Sequence, residues 1–470
     1  MTENLIEQLD HIFKPKSVAV IGASKDRAKW GGRMISQALN SQFRGRVYPV
    51  NPNGRRILGV KTYPDVMDVP DDVDMAVFTV PAKAMPTVMK SCVKKGVKGG
   101  VMISADFAET GDMGRSLQEE TVKIAREGGL RFVGPNGNGM WTSAVRLNVS
   151  PFENPLPGPV AFISQSGSFG GVAARAVEAK GFGLSKFISI GNQADLTATD
   201  YLEYLAQDDD TKVITMYMEG FKDGRRFFDT ARQVSRIKPV LIFKGGSSNF
   251  GARATLSHTA SIAGADEIFD AMCRQAGIIR VAEIDHLFIM AEALFSQPLP
   301  PGKRIAVIGN GGQGVTTVDM LAAANVDVPE FKEEDKRRLK EVMPPHAPVP
   351  RNPVDYAAGM MEGMAEVQVL EMLASMDYID GIITTLPGGL SFNATTLVEY
   401  KKAALDITDA FCQIPKKFGK PIIVQKWFVP GDTFDVLKNA QIPMYDKPAD
   451  CARAMTALVK YAQIKKGPAE

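Results

Sequence analysis

The chain has 470 residues, of which 45% are hydrophobic and 23% charged, with a formal net charge of +2. That length exceeds one ordinary domain, and the composition is that of a globular protein with several cores. The basic residues are scattered and no run approaches the roughly 20 apolar residues of a membrane helix, so nothing points to a nucleic-acid or membrane surface and the chain reads as a cytoplasmic metabolic protein.

The first thirteen residues, MTENLIEQLDHIF, carry acids and no sustained apolar run, and read as a short amphipathic helix rather than a leader. A unit of apolar run, small-residue turn and helix-compatible stretch then occurs three times. It reads SVAVIGAS over 17–24, VAFISQSGSFGG over 160–171 and RIAVIGNGGQG over 304–314. Each run is a buried parallel strand and each set of small residues a tight strand-to-helix turn. After the first start, strands are predicted over 46–50, 75–80, 100–104 and 130–133, with a helix over 84–95. The second start is followed by strands over 187–190, 213–218 and 240–243, and the third by 381–385 and 421–425. Proline-rich NPLPGP (154–159) and QPLPPG (297–302) mark the boundaries. The expectation is three doubly wound parallel α/β modules, over 1–150, 155–297 and 302–470. A further proline-rich stretch, PPHAPVPRNP (344–353), reads as a structured or functional loop inside the third.

Strand-to-helix turns of this kind offer free N–H groups to anions, so phosphorylated ligands are expected. In the first loop Ser24 can donate a hydrogen bond, and Lys25, Arg27 and Lys29 bring positive charge; the alternative is a plain turn with a solvated charge run. In the third, Gly309, Gly311 and Gly314 satisfy GxGxxG, with Glu330 about twenty residues on, which is a dinucleotide fingerprint. An NAD-dependent oxidoreductase would also need a catalytic base, and neither His286 nor His346 has a convincing setting. Cys92, Cys273, Cys412 and Cys451 lie far apart without a CxxC pair, which speaks for reduced, buried thiols and against a disulfide scaffold or a metal site. His11, His286 and His346 read as surface or structural residues. His258 differs: it sits in LSHTASIAGAD, among small and hydroxyl residues that leave room for a phosphoryl group.

Several motifs in one order carry a resemblance over nearly the whole chain. They are VAVIGAS (18–24), VNP (50–52), GPN (134–136), SQSGS (164–168), GNQAD (191–195), YMEGFKDGRRF (217–227) and SHTASIAG (257–264). In these the chain resembles the nucleoside-diphosphate-forming acyl-CoA synthetase superfamily, which includes the succinyl-CoA synthetases, and is most similar to the α subunit of the ADP-forming acetyl-CoA synthetases. The resemblance implies a Rossmann-like CoA-binding domain followed by two flavodoxin-like domains. It implies a ping-pong relay in which phosphate cleaves an acyl-CoA, His258 takes the phosphoryl group from the acyl phosphate, and ADP receives it. By the same resemblance Glu219 orients the imidazole, and Ser164, Ser166 and Gly167 hold the phosphoryl group. CoA would be contacted by Gly22, Ser24, Lys25, Asn51, Pro52, Val80, Pro81, Ala82 and Ser104.

No segment resembles an ATP-grasp domain. The resemblance therefore implies a hetero-oligomer in which an ATP-grasp β subunit brings ADP or ATP and Mg²⁺, with the third module facing that partner and a mobile His258 loop approached through Gly245–Gly251. Three positions depart from the family pattern: Asp106 where glycine is usual, Gly137 where cysteine is frequent, and Asn53 where lysine is common. The Gly137 departure implies a larger space near the acyl site. Two alternatives stay open at this point, a non-catalytic CoA-sensing scaffold and the nicotinamide oxidoreductase.

Overall fold

The computed structural model describes residues 3–54, 56–248, 250–251, 266–309, 311–356, 364–385, 397–426 and 431–467. The chain packs as two compact units, residues 1–288 and 289–470.

The first unit holds two sheets. Strands β1 (Ser17–Ile21), β2 (Arg46–Val50), β3 (Met75–Phe78), β4 (Gly99–Met102) and β5 (Arg131–Val133) form one parallel sheet in the order β2-β1-β3-β4-β5. Strands β1, β3 and β4 are buried at every position, which is why their sequences are continuous apolar or small runs rather than alternating ones. The second sheet is built on β8 (Pro157–Ser164), β9 (Leu184–Ser189), β10 (Val213–Met218), β11 (Val240–Lys244) and β12 (Ile279–Val281), all parallel. Both sheets reverse strand order beside their first strand, as doubly wound sheets do.

A hairpin of β6 (Met140–Thr142) and β7 (Leu147–Val149) extends the second sheet by antiparallel pairing of β6 on β9. The sequence division at residue 150 leaves this hairpin with the first module; its hydrogen bonds put it in the second sheet. Each hairpin strand has three residues, all buried, so no periodicity announces it.

The two sheets share one compact unit because one apolar core spans both, with Val18, Val20 and Val77 of the first and Ala161, Ile163 and Ile214 of the second, and because polar groups tie them. Helix α1 (Glu3–Phe13) buries Leu5, Leu9, Ile12 and Phe13 along one stripe, as its amphipathic sequence predicts. Its end is held by Thr142, whose hydroxyl donates to the Phe13 carbonyl at 2.9 Å, and by Tyr204, whose hydroxyl donates to Asp10 at 2.7 Å. The strongest tie is Asp195. Its carboxylate has no exposure to water and accepts from Arg126 Nε (2.8 Å), Arg131 Nε (2.9 Å) and the Phe132 amide (2.9 Å).

The second unit carries β13 (Ile305–Val307), β14 (Gly381–Thr385), β15 (Ile422–Gln425) and β16 (Met444–Tyr445), parallel in that order. Parallel bridges from Arg304 to Asp327 and from Ile308 to Val354 continue it on the far side of β13. The proline-rich loop is structured, as the sequence suggests: Asn352 accepts from the Val307 amide and donates to the carbonyls of Ile305 and Pro329.

All four cysteines are free and buried, and burial pushes the Cys92 and Cys273 thiols up to about 12. No helix among the described residues is long and apolar enough to cross a membrane.

Replacing Asp195 by alanine leaves two guanidinium groups and an amide without their acceptor. The first unit should lose about 3 kcal/mol, read as a lower urea midpoint for its unfolding; an unchanged midpoint would mean that Asp195 does not tie the sheets.

Candidate active site

Ligands of doubly wound sheets bind outside the carboxyl ends of the strands, where the strand order reverses. In the first sheet this is the crevice between β1 and β3. Gly22 follows β1 with φ +88°, a conformation that side chains rarely adopt, and a Cβ there would meet Thr79 Oγ1 at 2.8 Å. Helix α2 (Trp30–Asn40) begins directly over this turn, so close that a Cβ on Gly31 would fall 2.0 Å from the Gly22 carbonyl oxygen. Its N-cap residue, Lys29, makes no side-chain cap, which leaves amides of the first turn open. Ser24 Oγ accepts from the Asp26 amide at 3.1 Å. Lys25, Arg27 and Lys29 are exposed beside it and make no ion pair among the described residues.

Asn51 closes the second side: its Nδ2 donates to the Ala23 carbonyl (2.8 Å) and its Oδ1 accepts from the Asn53 amide (2.8 Å), with Pro52 exposed between them. On the third side, Ser104 Oγ donates to the Val80 carbonyl at 2.6 Å. Gly22, Ser24, Asn51, Val80 and Ser104 therefore line one crevice. Lys25, Pro52 and Pro81 stand on its rim, and Ala82 is buried beneath in a turn of 3₁₀ helix.

The second sheet reverses between β8 and β10. The SQSGS turn ends β8 and leads into helix α5 (Phe169–Lys180), whose N-cap, Ser168, also makes no side-chain cap. Ser164, fully buried, donates from Oγ to the Ser166 carbonyl at 2.6 Å and braces the turn from within. Ser166 Oγ lies 3.1 Å from Ser168 Oγ, and Gly167 packs against the Asn138 side chain. Hydroxyls, open amides and a helix N-terminus suit this turn to an anion, with no cation against it among the described residues.

Glu219 stands next to this turn, one residue past β10, and is 5% exposed. Its Oε1 accepts from the Tyr217 hydroxyl at 3.3 Å, while its Oε2 is buried with no hydrogen-bond partner among the described residues. Burial, and then the Glu219 charge, push the Tyr217 hydroxyl well above its ordinary pKa, so it stays a donor at any physiological pH. His258 lies outside the described residues. The segment leading to it starts at Lys244, whose ammonium faces the carbonyls of Gly245 (3.3 Å) and Gly246 (3.4 Å) and is pushed down by burial.

The loop Gly134–Asn138 runs between the two clusters. The Asn136 amide donates to the Ser104 carbonyl (2.9 Å), and the Asn138 amide donates to Ser189 Oγ (2.8 Å). A Cβ on Gly137 would stand 2.5 Å from the Ser189 carbonyl oxygen. This corrects the inference of a larger acyl space: the missing side chain is replaced by close-packed backbone. Asp106, where glycine is usual in the family pattern, has φ +71°, a region that Asp enters more readily than most residues.

The sequence reading gave no role to Gln165, Tyr217, Asn136 or Asn138. Gln165, Tyr217 and Asn136 lie inside motifs quoted above and Asn138 two residues past one, but single polar residues of this kind carry no periodic or spacing signal. The glycines of the dinucleotide fingerprint lead into the helix Gly312–Ala323. Glu330, which would meet a ribose, is paired with Lys336 at 3.5 Å, and Gln313 is bonded to Gln425 at 3.0 Å.

An α/β protein with uncapped helix N-termini at the carboxyl ends of two doubly wound sheets is the class these features define. A family signature described as a CoA binding domain matches residues 16–141, and one described as a succinyl-CoA ligase like flavodoxin domain matches 157–294. Over 461 residues the chain is 38% identical to acetate–CoA ligase [ADP-forming] II subunit alpha of Pyrococcus furiosus, covering 97% of this chain and 98% of that one. It is 36% identical over 474 residues to acetate–CoA ligase [ADP-forming] II of Archaeoglobus fulgidus, covering 97% of this chain and 68% of that longer one. Its fold is similar to that of acetyl-coenzyme A synthetase 1 of Ca. Korarchaeum cryptofilum, solved with phosphate and ADP, with TM-score 0.86, 34% identity and 97% of each chain covered. The chain belongs to the family of ADP-forming acetate–CoA ligases, on the side of their alpha subunits.

Gly137→Ala should lower stability by about 1–3 kcal/mol, the usual cost of overpacking, read as a drop in the thermal midpoint of the first unit. A variant as stable as the parent would mean that the Gly137–Ser189 approach is looser than 2.5 Å implies.

Proposed function

We propose that this chain is the CoA-binding, phosphohistidine-carrying subunit of an ADP-forming acyl-CoA synthetase acting on a small carboxylic acid. The observation that carries the reading is Glu219: a buried carboxylate with one oxygen lacking a partner among the described residues, next to an anion cradle. A carboxylate so placed is suited to accept from one ring nitrogen of an imidazole and leave the other nitrogen as the nucleophile.

In this reading phosphate attacks the thioester carbonyl of an acyl-CoA; the carbon–sulfur bond breaks, CoA leaves as the thiol, and an acyl phosphate remains. A ring nitrogen of His258 then attacks phosphorus, the bond from phosphorus to the acyl oxygen breaks, and the carboxylate leaves. Phospho-His258 finally gives its phosphoryl group to ADP. The first-sheet crevice, with Gly22, Ser24, Asn51, Val80 and Ser104 inside and Lys25, Pro52 and Pro81 on the rim above Ala82, holds CoA. The turn of Ser164, Ser166 and Gly167 holds the phosphoryl group. Residues 1–150 serve as the CoA module, 155–297 as the phosphohistidine module and 302–470 as the module that faces the nucleotide site.

The α-subunit names of the relatives, and the further third of the Archaeoglobus chain that this one does not match, support a partner. We assign it an ATP-grasp fold that brings ADP or ATP with Mg²⁺. CoA, free nucleotides and four reduced thiols are consistent with the cytoplasm.

The test is to incubate the chain with a panel of acyl-CoA thioesters, from acetyl-CoA upward, and inorganic phosphate, and to look by intact-protein mass spectrometry for an acid-labile phosphoryl adduct. Wild type should carry it and His258→Asn should not, while Glu219→Gln should acquire it on the order of 100-fold more slowly. A wild-type chain that binds CoA but stays unmodified, even with an ATP-grasp partner and ATP, would overturn the enzyme reading in favour of a CoA-sensing scaffold.

A further inference from the structure

Glu219 is useful only if its free oxygen is held at a fixed place relative to the turn that receives the phosphoryl group. Glu219 ends a strand and is followed by Gly220, so the backbone there has no ladder partner of its own. One side chain supplies the missing restraint. Gln165 is the first residue past β8, at the start of the SQSGS turn, and is 4% exposed. Its amide N–H donates to the Tyr217 carbonyl at 3.0 Å, continuing the pairing of β8 with β10. Its side-chain Oε1 then reaches one residue further and accepts from two successive amides, Glu219 N at 3.0 Å and Gly220 N at 3.2 Å.

We propose that Gln165 is a positioning residue for Glu219: it fixes the distance between the carboxylate and the adjoining turn of Ser164, Ser166 and Gly167. The inference rests on the phosphohistidine reading above. A buried amide that loses its acceptor must find another or drag its residue toward water, and either movement displaces a carboxylate whose own chain carries it. Tyr217 adds a second strut to the same end. Its ring lies 4.3 Å from that of Phe169, the first residue of α5, while its hydroxyl holds Glu219 Oε1. The Gln165 clamp thus acts on the backbone of Glu219 and the Tyr217 clamp on its side chain, and together they leave only Oε2 to face a reacting group.

The experiment uses one variant of the whole chain, Gln165→Met, which keeps length and burial but has no acceptor for the two amides. The rate of His258 phosphorylation is measured against inorganic phosphate concentration, with the thioester that labels the wild type fastest held saturating. Gln165→Met should lower the saturating rate at least about tenfold while half-saturating phosphate and the Kd for CoA stay within about twofold. A Met variant with the wild-type rate overturns the proposal. So does one in which half-saturating phosphate rises with the rate unchanged, which would make Gln165 part of the anion cradle. A loss of CoA affinity along with rate overturns it as well, and would mean that Gln165 has a general structural role instead. A wild-type chain that no thioester labels refutes the phosphohistidine reading itself, which is a distinct result.

Discussion

A carboxylate without any exposure, Asp195, joins the two sheets of the first unit, and the geometry of both loop clusters depends on it. A buried charge is stabilising only when its partners are complete, because its desolvation is not otherwise offset. Asp195 has three donors in place: Arg126, Arg131 and the Phe132 amide. Two of the donors sit on β5 of the first sheet, while Asp195 belongs to the loop after β9 of the second. The same loop is tied back by Asn192, whose backbone amide donates to the Pro135 carbonyl at 2.9 Å and whose side chain donates to Gln118 at 3.2 Å. Reactions between bound groups gain most when the groups are held within a fraction of an ångström, so a dense polar joint between the proposed CoA crevice and the proposed phosphate turn has a direct use.

The anion cradle is built without a cation among the described residues. Lys244, the buried lysine near it, turns its ammonium to the carbonyls of Gly245 and Gly246 instead. A phosphoryl group that must arrive, rest on a histidine and depart again is poorly served by a charge that holds every state equally, since uniform binding does not accelerate transfer. Hydroxyls, amides and a helix N-terminus hold it more gently, and they bear on whichever oxygens face them. The joint role of β8 and β10 follows: one strand ends in the cradle, its neighbour ends in Glu219, and their pairing makes the two a single rigid object.

Much of this was legible in the sequence. The strands Arg46–Val50, Val213–Met218 and Gly381–Thr385 end where their apolar runs end, because a parallel strand covered on both faces has no polar alternation to blur it. The hairpin of residues 140–149 was not legible, since three buried residues per strand carry neither a period nor a turn signal strong enough to assign them to one sheet or the other. Among the site residues, those in strand-to-helix turns were found through the motifs around them. Gln165 and Tyr217 were passed over because what they do is visible only across the strand pair, in which residues 54 positions apart meet.

The three departures from the family pattern act on backbone and charge, not on pocket size. A Cβ at Gly137 would not narrow an acyl pocket; it would push the loop Gly134–Asn138 off the Ser189 carbonyl and so disturb the strand end that also carries the GNQAD loop. Asp106 meets with a carboxylate a left-handed conformation that glycine satisfies freely, and it leaves that carboxylate exposed at the approach to the crevice. Asn53 contributes its amide to Asn51, and its exposed side chain is free to be anything. Asn136 and Asn192 meet where the two sheets adjoin, Asn136 Nδ2 donating to Asn192 Oδ1 at 3.3 Å, so these departures leave the polar joint between the sheets in place.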